Sequence, residues 1–171
     1  MLLLFAACSS LLTIEIEDST TTTVEGGTLV ESLLGDLGFD GFLSMNLMES
    51  EELKNQGVEP GDISQAKLTL LEMTVTDPAD GDLSFIDQLD LYVSAPDVER
   101  QLIATQDDFP ASVQMVSFER TDVDLTPYIV SESLSLTTDV TASRPAVDTT
   151  IEARYIIEVT ATLQGVKNQA D

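Results

Sequence analysis

The chain has 171 residues, 31 Asp+Glu against 7 Lys+Arg, a formal net charge of -24, one Cys, and neither His nor Trp. Without His there is no Ser-His-Asp or Cys-His catalysis and no imidazole metal site; one Cys leaves no internal disulfide and no Cys-based zinc site within one chain. Phosphate binding draws on Lys and Arg, so the charge disfavours nucleic acid as a partner.

The first residues read Met1-Leu2-Leu3-Leu4-Phe5-Ala6-Ala7-Cys8. An apolar run, two small residues and then the sole cysteine resemble the end of a bacterial lipoprotein signal peptide. The resemblance covers residues 1–8 only. It implies that residues 1–7 are a signal-peptide remnant and that cleavage falls before Cys8. It also implies that Cys8 carries the diacyl (palmitate-type) anchor on its sulfur. Phe5 stands where Leu is commoner, and no Lys or Arg precedes Cys8. A start codon placed too late in the gene would produce that gap. Ser9 supplies no acidic inner-membrane retention signal, which points to the outer membrane or cell surface. The alternative is a buried N-terminal strand with an ordinary core Cys. No later apolar run approaches the roughly 18 residues of a membrane span. The expected location is therefore the cell envelope, with the membrane as one partner, held through lipid, and an unknown envelope protein as the other.

Leu12, Ile14 and Ile16 alternate with Thr13, Glu15 and Glu17, the period of a strand. Ser19–Thr23 either continues that strand along an edge or forms a flexible tether within an anchor region at 8–27. Thr28-Leu29-Val30-Glu31 has the form of a capping box. Leu33, Leu34 and Leu37 follow at helical spacing, and Gly35 or Gly38 ends the helix. Gly41 to Met48 reads as a strand. Ser50-Glu51-Glu52-Leu53-Lys54 starts a second helical turn that stops at Gly57. In Lys67 to Thr76 the apolar set begins on even positions (Leu68, Leu70) and continues on odd ones (Leu71, Met73, Val75). Such a phase switch predicts a β-bulge.

Leu89, Leu91 and Val93 mark the next strand, closed by a turn at Ala95-Pro96-Asp97. Gln101 to Gln106 returns, ending at Asp107-Asp108-Phe109-Pro110, and Val113 to Glu119 is another strand. At Asp122-Val123-Asp124-Leu125-Thr126-Pro127-Tyr128, Pro127 ends the run. Tyr128 resembles a tyrosine corner, whose hydroxyl bonds backbone. Leu134, Leu136, Val140 and Ala142 alternate with polar residues up to Ser143-Arg144-Pro145. Ile151, Ala153, Tyr155, Ile157, Val159, Ala161 and Leu163 then trace one buried face of a long strand. Ile156 interrupts its polar face, so that face is expected to be partly covered. These last two strands are expected to be antiparallel neighbours.

A chain of this length is most simply one domain, and 43% hydrophobic content suits a globular one. Only 6 Phe and 3 Tyr are present, so the core rests on Leu, Val, Ile and Met. About eight strands with Pro, Gly and Asp turns predict an all-β fold, an antiparallel β-sandwich over 28–165 with one or two short helices. A closed barrel is the alternative. Residues 166–171 form a tail.

Asp77-Pro78-Ala79-Asp80-Gly81-Asp82 is the richest polar cluster. Closely spaced carboxylates around a Gly can hold Ca²⁺, which makes Asp77, Asp80 and Asp82 the candidate metal ligands. The spacing is not that of an EF-hand. The same residues also make a plain loop, with Asp82 capping a turn at Leu83-Ser84-Phe85, and that reading is preferred. Carbohydrate binding favours aromatic platforms, and Tyr92 and Tyr128 are the only candidates for an exposed one. With 31 acids, two carboxylates at hydrolase spacing arise by chance. No catalytic residues and no obligatory cofactor are assigned. The expected role is non-enzymatic, structural or protein-binding; a calcium-dependent adhesion or ligand-binding module is the alternative.

Overall fold

The computed structural model describes residues 11–27, 48, 50–131 and 134–162. Among these, eight strands form two sheets. β1 (Leu11–Val24), β2 (Ile63–Asp77), β5 (Met115–Ser117) and β8 (Thr149–Thr162) make the first sheet, in the order β1-β8-β2-β5. β3 (Ile86–Ala95), β4 (Val98–Gln106), β6 (Glu119–Arg120) and β7 (Ser135–Ala142) make the second, in the order β6-β4-β3-β7. Every pairing is antiparallel. The two sheets share one hydrophobic core, so the fold is a β-sandwich.

β8 is the spine of the first sheet. Its alternating apolar residues Ile151, Ala153, Tyr155, Ile157, Val159 and Ala161 are all buried. β1 and β2 flank it, so its outward residues, Arg154 and Ile156 among them, are half-buried rather than fully exposed. On that outer face Leu70 stands directly opposite Ile156, and the two apolar side chains partly cover the position.

The phase switch in β2 is a register shift between Leu68 and Leu70. Leu68 faces the core before it, and Leu71, Met73 and Val75 face the core after it. Thr69 is the extra residue. Its hydroxyl donates to the Ile156 carbonyl at 3.2 Å, and its own carbonyl accepts from the Arg120 guanidinium. The bulge thus gives both the hydroxyl and the carbonyl of Thr69 a partner.

β1 runs through Ser19–Thr23 as an ordered edge strand. The tether alternative does not apply to these residues, and the sandwich includes a first strand that starts at Leu11, ahead of residue 28. β1 and β8 pair without a break from Leu11↔Thr162 to Val24↔Thr149.

Three expectations are corrected. β7 and β8 are not neighbours: β7 pairs with β3, and β8 lies in the other sheet. The segment between them crosses from sheet to sheet, held by Ser143 N–H on the Phe85 carbonyl at 2.6 Å and by Gly27 N–H on the Pro145 carbonyl at 2.9 Å. Val113 to Glu119 is not one strand. β5 pairs with β2 and β6 pairs with β4, so the chain changes sheets at Phe118. Phe118 is buried at this crossing, edge-on to Phe109 with ring centroids 6.2 Å apart. Pro127 does not end a run but opens a helical turn, α2 (Thr126–Ile129). Asp124, just ahead of that turn, accepts from the Thr126 N–H at 3.0 Å and its hydroxyl at 2.7 Å, a local Asx-type turn that leads the chain into α2.

The expected helix α1 forms at Glu51–Asn55. The Ser50 hydroxyl accepts from the Leu53 N–H at 3.3 Å, and the chain leaves the helix through Gly57 at φ +65°. The lipobox residues 1–8, the helix expected at 28–38, most of the strand expected at 41–48, and residues 163–171 lie outside the described residues. Met48 is described and packs against the core.

Candidate functional site

The antiparallel order brings Asp77, Val24 and Thr149 to one end of the first sheet, away from Leu11 and Thr162. The 77–85, 107–114 and 143–148 connections gather at this end, and the candidate carboxylates sit there.

β2 ends at Asp77, and the Asp77–Pro78 peptide is cis. The chain turns back on the Gly81 N–H, which donates to the Pro78 carbonyl at 2.9 Å. A Cβ at Gly81 would meet Val75 Cγ1 at 2.9 Å, so this tight return needs glycine. Asp82 then closes the loop. One carboxylate oxygen accepts from the Ser84 N–H at 3.0 Å and the Ser84 hydroxyl at 2.6 Å; the other accepts from the Ser112 N–H at 2.6 Å. Ser112 has φ +65°, a left-handed turn residue whose N–H is aimed at the carboxylate. The Ser112 bond is the largest influence on Asp82, followed by those from Ser84, and together they hold its pKa below the usual carboxylate range. Gln114 adds a second staple, its amide donating to the Ala79 carbonyl.

Asp77 and Asp80 are exposed or nearly so and lie apart from this network. Among the described residues, no three carboxylates are grouped as a metal ion would require. The structure thus places Asp77, Asp80 and Asp82 on one loop without converging them on one point. Asp82, the innermost, is committed to loop closure.

That commitment predicts a result. Asp82→Ala leaves the Ser112 N–H without its acceptor and should lower stability by about 1 kcal/mol, read as a lower Tm at pH 7. A depressed folded pKa means the contribution is present above the unfolded pKa, about 3.9, and is lost as pH falls through the folded value. The wild-type and variant curves should therefore converge below about pH 4.

The second acidic pair, Asp107 and Asp108, is organised by Gln106. Both backbone N–H groups donate to the Gln106 side-chain oxygen, at 2.9 and 3.0 Å, while its amide donates to the Ser117 carbonyl at 2.7 Å. In the sequence Gln106 reads only as the last residue of a return strand, with nothing in its residue type to mark it as an organiser of the loop.

Neither candidate tyrosine is an open platform. Tyr128 is buried, and its hydroxyl donates to the Glu99 carbonyl at 2.7 Å, the structural anchor expected of it. Burial first, and the nearby Glu99 charge second, raise its pKa. Tyr92 is roofed by the Arg100 guanidinium, 3.5 Å from the ring centroid. Arg100 continues across β3 to Asp139 on β7 at 3.2 Å. The other sheet has a matching ladder, in which Arg154 on β8 bridges Glu17 on β1 at 2.6 Å and Glu72 on β2 at 3.4 Å. These scarce cations link strands across the outer faces.

Cys8 lies outside the described residues, three positions before β1 begins. Compared with known proteins, the chain matches no family model and no curated protein. The class defined by the fold is an acidic, two-sheet antiparallel β-sandwich.

Proposed function

We propose that this chain is a lipid-anchored, extracytoplasmic β-sandwich with a non-enzymatic structural or protein-binding role at the cell envelope. The observation that carries the reading is the short distance from Cys8 to the fold. β1 starts at Leu11 and is paired with β8 from its first residue. A lipid on Cys8 would then hold the sandwich close to the bilayer, without a long tether. The Leu11 end would face the membrane, and the far end, with its stapled loops, would face outward. The carboxylates characterised above support a scaffold role, since Asp82 closes a loop and Asp124 holds the turn that leads into α2. Spread acids on the strands would hold the domain off anionic headgroups.

The test is metabolic labelling of bacteria expressing the gene, including any in-frame upstream extension, with an alkyne fatty acid. The wild type should take up label and partition with membranes. Cys8→Ser should abolish labelling and release the protein to the soluble fraction. An unlabelled wild type whose Cys8 reacts as a free thiol would overturn the reading.

A further inference from the structure

The six prolines follow Glu59, Asp77, Ala95, Phe109, Thr126 and Arg144. Asp77–Pro78 is therefore the one Asp–Pro bond in the chain, and such a bond has a chemistry of its own in acid. An aspartate carboxylate closes a five-membered ring on its own backbone carbonyl, and a tethered nucleophile needs no encounter. Pro78 has no N–H, so the competing closure of an imide through the following nitrogen is blocked. Asp77 is exposed, at the point where β2 ends and the chain leaves the first sheet.

The fold decides what becomes of the product. A cut after Asp77 separates β1 and β2 from β3 to β8, yet the order β1-β8-β2-β5 interleaves the two pieces within one sheet. β8 lies between β1 and β2 and pairs with both, and β2 also pairs with β5. Pulling the pieces apart would break all three pairings and open the shared core. Both new ends are also held. Before the cut, Asp77 stands opposite Thr150, and the Thr76 hydroxyl donates to the Thr150 carbonyl at 3.4 Å. Beyond it, the Ala79 carbonyl accepts from the Gln114 amide, and Asp82 accepts from the Ser112 N–H at 2.6 Å. The Val75 N–H donates to the Gln114 carbonyl at 2.8 Å, so the same connection holds both sides of the break.

We propose that Asp77–Pro78 is a site of self-scission in acid, and that the cut chain remains one assembled sandwich. In the reaction a side-chain oxygen of Asp77 bonds to the Asp77 backbone carbonyl carbon. The bond from that carbon to the Pro78 nitrogen breaks, and the nitrogen leaves as a secondary amine with a proton taken from the acidic solvent. Water then opens the cyclic anhydride, which restores the side-chain carboxyl and gives Asp77 a new α-carboxyl. One water is consumed, and nothing is oxidised or reduced.

The experiment holds the full chain at about pH 3, near the ordinary aspartate pKa, where ionised carboxylate and acid coexist, and then returns it to pH 7. Denaturing mass spectrometry should find two pieces, one ending at Asp77 and one starting at Pro78, whose masses sum to the intact chain plus one water. Glu59–Pro60, where the same attack needs a larger ring, should stay whole, and Asp77→Glu should abolish the cut. At pH 7 the pieces should elute together at the volume of the uncut chain, with its far-UV circular dichroism. Three results overturn the proposal: a chain that stays whole while a peptide of residues 74–81 is cut, equal cutting of Asp77→Glu, or pieces that elute apart while uncut chain in the same sample refolds. If the uncut chain does not recover from acid, a variant with a protease recognition sequence inserted between Asp77 and Pro78 is cut at pH 7 instead. Co-elution of its pieces supports the assembly, and separate elution overturns it.

Discussion

Leu71→Ala is expected to lower the unfolding free energy by about 3 kcal/mol, whereas Leu70→Ala, one residue earlier, is expected to cost less than about 1 kcal/mol. The difference comes from the β2 bulge. Leu71 is 1% exposed, faces the opposing sheet and pairs with Tyr155 of β8. Truncating it removes buried methyl groups and leaves a cavity between two sheets that share one core. Leu70 is only half-buried, on the outer face beside Ile156, where solvent fills the space an alanine leaves. Without a register shift, Leu70 would share the inward face of Leu68, and the costs would reverse. Urea unfolding of both variants reads this directly. Equal costs, or a larger cost at Leu70, would contradict the bulge.

The same pair shows how far a sequence reading reaches. Side-chain period reports the face on which a residue lies. The phase switch from Leu68 to Leu71 and the buried row from Ile151 to Ala161 were therefore readable. So was the turn at Asp82, whose bonds to Ser84 are local, and the backbone anchor at Tyr128. Period does not report which strand is next door. Val116 and Phe118 lie on the same buried parity, so alternation continues smoothly while the chain leaves β2 for β4. β7 and β8 are consecutive, which suggests neighbours, yet the 143–148 segment carries the chain across the sandwich. The long-range staples were hidden for the same reason. Ser112 reaches Asp82 across 30 residues, and Arg120 reaches Thr69 across 51. The start of α2 is different: Asp124, Thr126 and Pro127 form a local signal, but a proline suits the end of a strand as well as the first turn of a helix.

Alkaline pH is expected to unfold this protein, and Tyr155→Phe is expected to blunt that response. No side chain among the described residues has an ordinary pKa between about 5 and 9.5, because the chain has no His. Stability should therefore be nearly flat across that range. Above it the tyrosines matter. Burial is the largest cause holding the Tyr155 pKa above its usual value, and the charge and hydrogen bond of Asp18 add to it. A raised folded pKa gives a contribution fully present below the unfolded value, about 10, and lost as pH rises through the folded one. While Tyr155 is ionised only in the unfolded chain, each pH unit above about 10 removes about 1.4 kcal/mol. Phenylalanine cannot ionise and escapes that loss. At pH 7 it forfeits the hydroxyl bond to Asp18 and should be less stable by about 1 kcal/mol. The two stability curves should converge above about pH 10 and cross near pH 11. Denaturant unfolding at stepped pH provides the measurement. Curves that stay parallel to pH 11 would mean that Tyr155 ionises as freely in the fold as outside it, contrary to its burial in the middle of β8.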